Sequence, residues 1–332
     1  MKRPLVQTPS KPRPLPRSAR AGASRVVVLV GPTASGKTRL GVELAERLNG
    51  EIISADSQQV YRGLDLGTAK PSFEERHRVP HHLVDVADLD AGESLSAGAF
   101  VRLADEAIAD VRRRGRLPLI VGGTGLWIRS LLRGIVEAPP VDPELRRRLE
   151  ERAAREGREA LHAELCRVDP DTAAQTSPRN LVHVLRALEL YRLTGQRPSE
   201  LKARHAFAEL RYDAKVLGLA PPREELYRRI DERVAQMFVQ GLVDEVRAFV
   251  SRGLRGAAQT KALGYPQALA VADGRTSVAE AVRLTARDTR HYAKRQLTWF
   301  RADPLVEWLA WPVVAEELAD RLSRMGFRGE TG

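Results

Sequence analysis

Residues 26–38 read as an apolar strand, Val26 to Val30, running straight into the glycine-rich loop Gly31-Pro-Thr-Ala-Ser-Gly-Lys-Thr38. Gly31, Gly36, Lys37 and Thr38 fill the fixed positions of the G-x-x-x-x-G-K-[ST] pattern, and Leu40, Val42 and Leu44 open an apolar helix behind it. Strand, loop and helix in this order commit the chain to a parallel α/β core with a phosphate cradle at one strand end. Backbone N–H groups of the loop, which runs through Pro32, Thr33, Ala34 and Ser35 between its glycines with Pro32 contributing none, close around phosphate oxygens. Lys37 adds a cation, and the Thr38 hydroxyl is the candidate ligand of a Mg²⁺ ion. The expected ligand carries a di- or triphosphate.

Charge distribution narrows the class further. The chain carries a formal +11 over 332 residues, but seven basic residues and no acid fall within residues 1–25, leaving +4 for the rest. That stretch holds five prolines and no apolar core, so residues 1–24 are expected to form a disordered basic arm, either without a role or as a weak nucleic-acid tether. No run of about 18 apolar residues is present, so no membrane-spanning helix is expected. The lone Cys166 excludes a disulfide framework and suits a reducing cytoplasm.

Along the chain, residues 25–138 alternate strand-like and helix-like stretches, with strands expected at 26–30, 51–54, 83–86 and 118–122. At Pro139-Pro140 the texture changes to charged, Arg-rich helical segments, so 139–206 is expected to be a helical insertion. Residues 207–302 return to the core, with a strand at 214–219, two helices over 223–250 separated by Gly241, and a helix over 280–301; 303–332 reads as a C-terminal tail. The expected fold class is α/β: a P-loop NTPase-like parallel sheet flanked by helices, with an inserted all-helical subdomain.

Three features could carry chemistry. Asp56 follows Ile52-Ile53-Ser54-Ala55, at the carboxyl end of a strand expected beside the one feeding the P-loop, where ligands of open α/β sheets bind. A carboxylate there can accept a proton from a nucleophile. The apolar run Leu117 to Val121 ends in Gly122-Gly123-Thr124-Gly125 without the aspartate that an NTPase uses for Mg²⁺. That turn is either a plain bend or a close backbone approach to a ligand. Arg283, Arg287, Arg290 and Lys294 step by four, three and four and share one helix face, which is a solvated face or a phosphate-binding one. Tyr292 and Trp299, seven apart, read as a core seam, and His81-His82 as structural because neighbours cannot share one strand face.

These pieces occur in the order and wording of a known family. The chain resembles the tRNA dimethylallyltransferases (tRNA isopentenyltransferases) in Gly31–Thr38, Asp56-Ser-Gln-Gln-Val-Tyr-Arg-Gly63, Gly67-Thr-Ala-Lys-Pro71, Pro80-His-His-Leu83 and Gly122-Gly-Thr-Gly125. Asp142-Pro-Glu-Leu-Arg146, Arg186-Ala-Leu-Glu189, Leu263-Gly-Tyr265 and Tyr292-Ala-Lys-Arg-Gln-Leu-Thr-Trp-Phe-Arg301 continue the match. The resemblance implies transfer of a dimethylallyl group from its diphosphate to N6 of the adenosine just 3′ of the anticodon, in tRNAs reading codons that begin with U. It implies Asp56 as base, Thr124 near the reacting centre, Gly31 to Thr38 with Arg233 on the diphosphate, and Mg²⁺. It further implies tRNA contacts by Asp56, Ser57, Gln58, Gln59, Thr124, Arg146, Arg186, Lys261, Gly264, Tyr265, Arg287, Arg290, Lys294 and Arg295, in a cytoplasmic monomer. His183, Pro266 and Trp127 depart from the family's usual residues. Adenylate dimethylallyltransferase, small-molecule kinase and non-catalytic nucleic-acid binder are the competing readings. The helical insertion has no use in the first, and the second alone releases ADP from ATP.

Overall fold

A computed structural model describes residues 23–88, 95–135, 139, 141–205, 210–258 and 262–330. Residues 1–22 of the expected arm and Lys261 therefore lie outside the described residues. The chain divides into two compact units, Met1–Arg133 with Glu209–Gly332, and Gly134–Ala208.

The first unit opens with β1 (Arg25–Val30), α1 (Lys37–Leu48), β2 (Gly50–Ala55), α2 (Phe73–Arg78), β3 (His81–His82), α3 (Ala97–Arg113), β4 (Leu117–Gly122) and α4 (Gly125–Arg133). After the five helices of the second unit it resumes with β5 (Asp213–Gly218), α10 (Arg223–Val239), α11 (Leu242–Ser251), α12 (Arg255–Ala258), α13 (Tyr265–Ala272), α14 (Val278–Arg301), β6 (Glu307–Trp308) and α15 (Ala315–Arg324). The six strands pair in the order β3-β2-β4-β1-β5-β6, and every pairing is parallel.

Strands β1, β2 and β4 are buried along most of their length because helices cover both faces, the condition under which parallel strands read as unbroken apolar runs. Side-chain alternation splits them between two cores. Val26, Val28, Val30, Ile53 and Ile120 pack with Phe100 of α3 and Trp127 of α4. Val27, Leu29, Ile52, Leu119 and Val121 face Leu40, Leu44 and Leu48 of α1 and Leu318 and Leu322 of α15. A third cluster joins α10, α11, α13 and α14 through Ile230, Val246, Tyr265 and Ala286.

Three expectations are corrected. The strand expected at 83–86 is the short β3 at 81–82, because Leu83 and Asp85 adopt positive φ of 62° and 58° and leave the ladder. Asp85 there meets the buried ammonium of Lys70 at 2.5 Å. Strand β2 is not beside β1: β4 lies between them, so the Gly122-Gly123 turn separates the P-loop from Asp56. Residues 303–332 are not a plain tail. Segment β6 adds the sixth strand to β5, and α15 lays Ala315, Leu318, Ala319 and Leu322 into the sheet core. Their i, i+3, i+4, i+7 spacing was the available signal.

In the second unit, α5 (Pro143–Glu156), α6 (Arg158–Val168), α7 (Pro170–Ala174), α8 (Leu181–Thr194) and α9 (Pro198–His205) share a small core of Leu149, Leu161, Leu165, Val184, Leu185 and Leu188. Its polar keystone is Glu189, fully buried. Glu189 accepts from Asp142 N at 2.9 Å, Arg146 at 2.7 Å and Arg186 at 3.0 Å, and Arg186 also donates to Pro139 O at 2.7 Å. Removing one member of a buried ion pair costs about 3–5 kcal/mol. The arginines keep 18% and 33% side-chain exposure, so Glu189→Ala is expected to lower the stability of this unit by the lower end, about 3 kcal/mol. Hydrogen exchange along α5 and α8 reads this directly.

Candidate active site

Strand β1 ends at Val30 and the chain turns through the loop into α1, whose first turn has no side-chain cap. Its N–H groups and the positive end of the helix dipole are left for an anion. Thr33, Lys37 and Thr38 line a cavity of ≈ 310 Å³. Ala34, Gly36 and Lys37 also border a second recess with Thr38, Arg39, Arg229 and Arg233. Gly31, Pro32 and Ser35 are buried and form the loop's inner scaffold, with Pro32 O accepting from Lys37 Nζ at 3.2 Å.

Across the cavity stand Asp56, Ser57, Gln58 and Gln59 from the end of β2, Arg233 from α10, and Tyr292, Arg295 and Gln296 from α14. Asp56 Oδ1 accepts from Gln58 N at 2.9 Å, which orients the carboxylate. Thr124 does not line the cavity; its hydroxyl accepts from Ser57 N at 3.0 Å and its own N–H donates to Ala55 O. It therefore ties the Gly122–Gly125 turn to the Asp56 loop. Gln59 is buried, accepts from Ser54 Oγ at 3.1 Å, and donates to Ala69 O at 3.1 Å, fixing the cavity's 67–71 side.

Electrostatics concentrate at one point. Burial lowers the Lys37 ammonium from its usual 10.5 to about 8; Asp56 opposes that shift and Arg233 adds to it. Burial also lowers the Arg233 guanidinium, with Asp56 opposing. Burial first, then Asp56, raises the Tyr292 phenol, so it stays neutral. Two buried cations thus face one carboxylate, a deficit of negative charge that a diphosphate supplies.

Sequence reading missed Gln296. Its Oε1 accepts from Thr33 N at 2.8 Å and its Nε2 donates to Gly123 O at 3.0 Å. A Cβ on Gly123 would sit 2.2 Å from that Nε2, so glycine is required there for the amide to bridge P-loop and turn. The available signal was an uncharged amide on an otherwise basic helix. The Tyr292–Trp299 seam is also corrected: Tyr292 lines the cavity, and Trp299 is 39% exposed. His81 lines the cavity floor with Nδ1 bonded to Val79 O, whereas His82 meets Glu51 at 2.7 Å; the pair shares no ligand.

The residues expected to meet tRNA have varied placements. Tyr265 is fully buried, donates to Glu245 at 2.5 Å and packs on Gly67, where a Cβ would lie 2.3 Å from its ring. It is corrected to a core residue holding the 65–67 loop, and Gly264 with φ +90° begins its helix. Arg146 and Arg186 are engaged by Glu189. Arg283 pairs with Glu280, Arg287 with Asp288, and Arg290 with Asp231 of α10, a partner hidden from a reading of α14 alone. Lys294 and Arg295 line a second groove beside the cavity.

Among the oxygen-bearing side chains that line the cavity is the Thr38 hydroxyl, next to Lys37 in the loop. With phosphate oxygens and water it belongs to the set a Mg²⁺ ion takes, and the residues fit that ion. Among the described residues no cluster of three or more His, Cys, Asp or Glu is positioned to hold a metal.

A family model described as IPP transferase matches residues 59–303. A tRNA dimethylallyltransferase of Anaeromyxobacter sp. (strain Fw109-5) is 55% identical over 299 residues, 90% of this chain and 99% of that one. One of Myxococcus xanthus (strain DK1622) is 51% identical over 296 residues, covering 89% and 96%. The crystal structure of the full-length tRNA isopentenylpyrophosphate transferase from Bacillus halodurans matches at 40% identity and TM-score 0.64, over 91% of this chain and 96% of that one. A eukaryotic dimethylallyltransferase acting on tRNA matches at 26% identity and TM-score 0.78, over 93% and 81%.

The Lys37 shift has a signed consequence. In the free protein the ammonium titrates near 8; a diphosphate bound against it would raise that value, so binding is expected to take up about half a proton at pH 8 and nearly one at pH 9. Affinity of inorganic diphosphate, after allowance for the ligand's own titration, should hold level below pH 8 and weaken up to about tenfold per pH unit above it. Calorimetry in buffers of different ionisation enthalpy measures the uptake.

Proposed function

We infer that this chain, which belongs to the IPP transferase family, is an enzyme that transfers a dimethylallyl group from its diphosphate to tRNA, with N6 of the adenosine 3′ to the anticodon as acceptor. The observation that supports this reading is one cavity lined by the P-loop residues Lys37 and Thr38 on one side and Asp56 on the other. It suits a leaving diphosphate and a proton-losing nucleophile together.

In this mechanism the loop N–H groups, Lys37 and Arg233 bind the diphosphate and stabilise charge as the C–O bond to the prenyl carbon breaks. The Thr38 hydroxyl would help hold a Mg²⁺ ion, which would supply further charge neutralisation. The N6 lone pair forms the new C–N bond, and Asp56 takes the N6 proton. The bond from Thr124 to Ser57 N holds the Asp56 loop still. Tyr292, neutral beside Asp56, offers a ring face to the extruded base. Lys294 and Arg295 meet the RNA backbone; Arg287 and Arg290 would have to exchange their carboxylate partners for phosphates. Arg146 and Arg186 shape the second unit around Glu189 and bring net positive charge to the anticodon arm. The enzyme acts as a monomer in the cytoplasm, where its tRNA is found; no described helix is long and apolar enough to cross a membrane.

The kinase alternative is disfavoured by β4, which ends at Gly122 without an acid. Mass spectrometry of tRNA nucleosides after incubation with dimethylallyl diphosphate and Mg²⁺ should give N6-dimethylallyladenosine. ADP release from ATP in place of that product would overturn the reading. Asp56→Asn keeps the side chain's size but cannot accept the proton, so single-turnover transfer should slow about 10²–10⁴-fold. Its dimethylallyl diphosphate affinity should stay within a few-fold. A rate near wild type would leave water or the departing diphosphate as base. Lys37→Ala should do the reverse, weakening diphosphate binding while tRNA affinity holds.

A further inference from the structure

Beside the catalytic cavity lies a second groove of ≈ 560 Å³, and Arg295 lines both. Its walls are Lys294, Thr298 and Trp299 of α14 and Arg129 and Arg133 of α4. Trp299 remains 39% exposed, a large apolar area kept at the surface. It is nonetheless firmly seated. A Cβ on Gly125 would lie 2.2 Å from the indole, so the ring edge rests on bare backbone where α4 begins. The Arg129 guanidinium lies over the ring, 4.6 Å from its centroid. Indole and guanidinium together form a flat, cationic plate.

Charge and spacing select the occupant. Lys294 and Arg295 line the same groove as the plate, and the groove's acid, Asp303, is engaged by Arg133 at 2.7 Å. A cationic groove around an aromatic plate fits a single-stranded nucleotide, whose base stacks while its phosphate meets the cations. Tyr292, with the Arg295 guanidinium 5.6 Å above its ring, repeats the motif inside the cavity. Tyr292 and Trp299 are seven residues apart on one helix, roughly 10 Å along its axis. Stacked neighbouring bases rise only about 3.4 Å. Two plates at that separation cannot serve bases still stacked on each other.

We propose that the Trp299–Arg129 plate is the stacking subsite for the nucleotide next to the modified adenosine, holding it splayed away while the adenosine enters the cavity. This rests on the reading of the chain as a tRNA dimethylallyltransferase. The plate is a positioning element that favours the open loop and takes no part in bond making.

The test uses anticodon stem–loops in which each neighbour of the target adenosine is made abasic in turn, with the wild-type enzyme, Trp299→Ala and Trp299→Phe. For wild type, one abasic position should raise KM for RNA roughly ten- to hundredfold, leaving kcat within a few-fold. Trp299→Ala should raise KM equally on intact RNA and add nothing on that abasic RNA, while Trp299→Phe recovers most of the loss. Dimethylallyl diphosphate affinity should hold in both variants. Multiplying losses, or KM unmoved by Trp299→Ala, would overturn the subsite. If Trp299→Ala weakens diphosphate binding through the Gly125 turn, wild type on abasic RNA decides alone: loss at one flank supports the plate, and no loss at either overturns it. Failure of wild type to alkylate the intact stem–loop and full tRNA would instead overturn the underlying function, and the plate with it.

Discussion

The burial of Lys37 and Arg233 against a single carboxylate is the constraint around which the molecule is arranged. Desolvation lowers Lys37 from 10.5 to about 8, a cost of about 3 kcal/mol for keeping the charged form at neutral pH. The cost acts on folding in the opposite sense to its action on binding. With a folded value below the unfolded one, the penalty is fully present below pH 8 and disappears as pH rises through 10.5, so free-enzyme stability gains across that window. Ligand affinity declines over the same window. A diphosphate bound against Lys37 would supply the missing counter-charge and relieve that cost.

The P-loop by itself would not hold that arrangement. Its partners come from opposite ends of the sequence: Gln296 bonds Thr33 N and Gly123 O, and Thr124 bonds Ser57 N. Cradle, glycine turn and Asp56 loop are thus joined in one hydrogen-bonded chain crossing three strand ends. Since β4 lies between β1 and β2, the turn after β4 is the sole backbone among these three strands that can touch both sides. Small residues there are the condition for the contact.

Periodicity and local motif made much of this legible. The strand feeding the P-loop, the apolar face of α1 and the long α14 all announce themselves within a dozen residues, because their burial is set by their own pattern. Asp56 was legible as a cavity-lining carboxylate through its place after an apolar strand, although the expected adjacency of that strand to β1 was wrong. Pairings between distant segments were not. Nothing near Arg290 names Asp231, nothing near Tyr265 names Glu245, and nothing in Glu307-Trp308 marks a two-residue strand until β5 is there to receive it. The aromatic residues of α14 were misread for the same reason. Seven-residue spacing gives the face but not what lies opposite, and opposite Trp299 stands Arg129 from a helix more than 160 residues earlier.

The end of β4 lacks the acid that a phosphoryl-transfer site commonly places there, which fits the proposed group transfer from a diphosphate. Phosphoryl transfer needs charge organised around the phosphorus under attack, commonly with an acid-held metal at a neighbouring strand end. Here that strand end is Gly122-Gly123, occupied by backbone and the Gln296 amide, and the nearby carboxylate is Asp56, one strand further from the loop. Asp56 stands at the end of β2, two places from β1 in the sheet order, so the Gly122-Gly123 turn lies between cradle and carboxylate and is tied to both through Gln296 and Thr124. Strand order therefore decides what borders the cradle: an amide-braced glycine turn directly beside it, and a carboxylate one strand beyond.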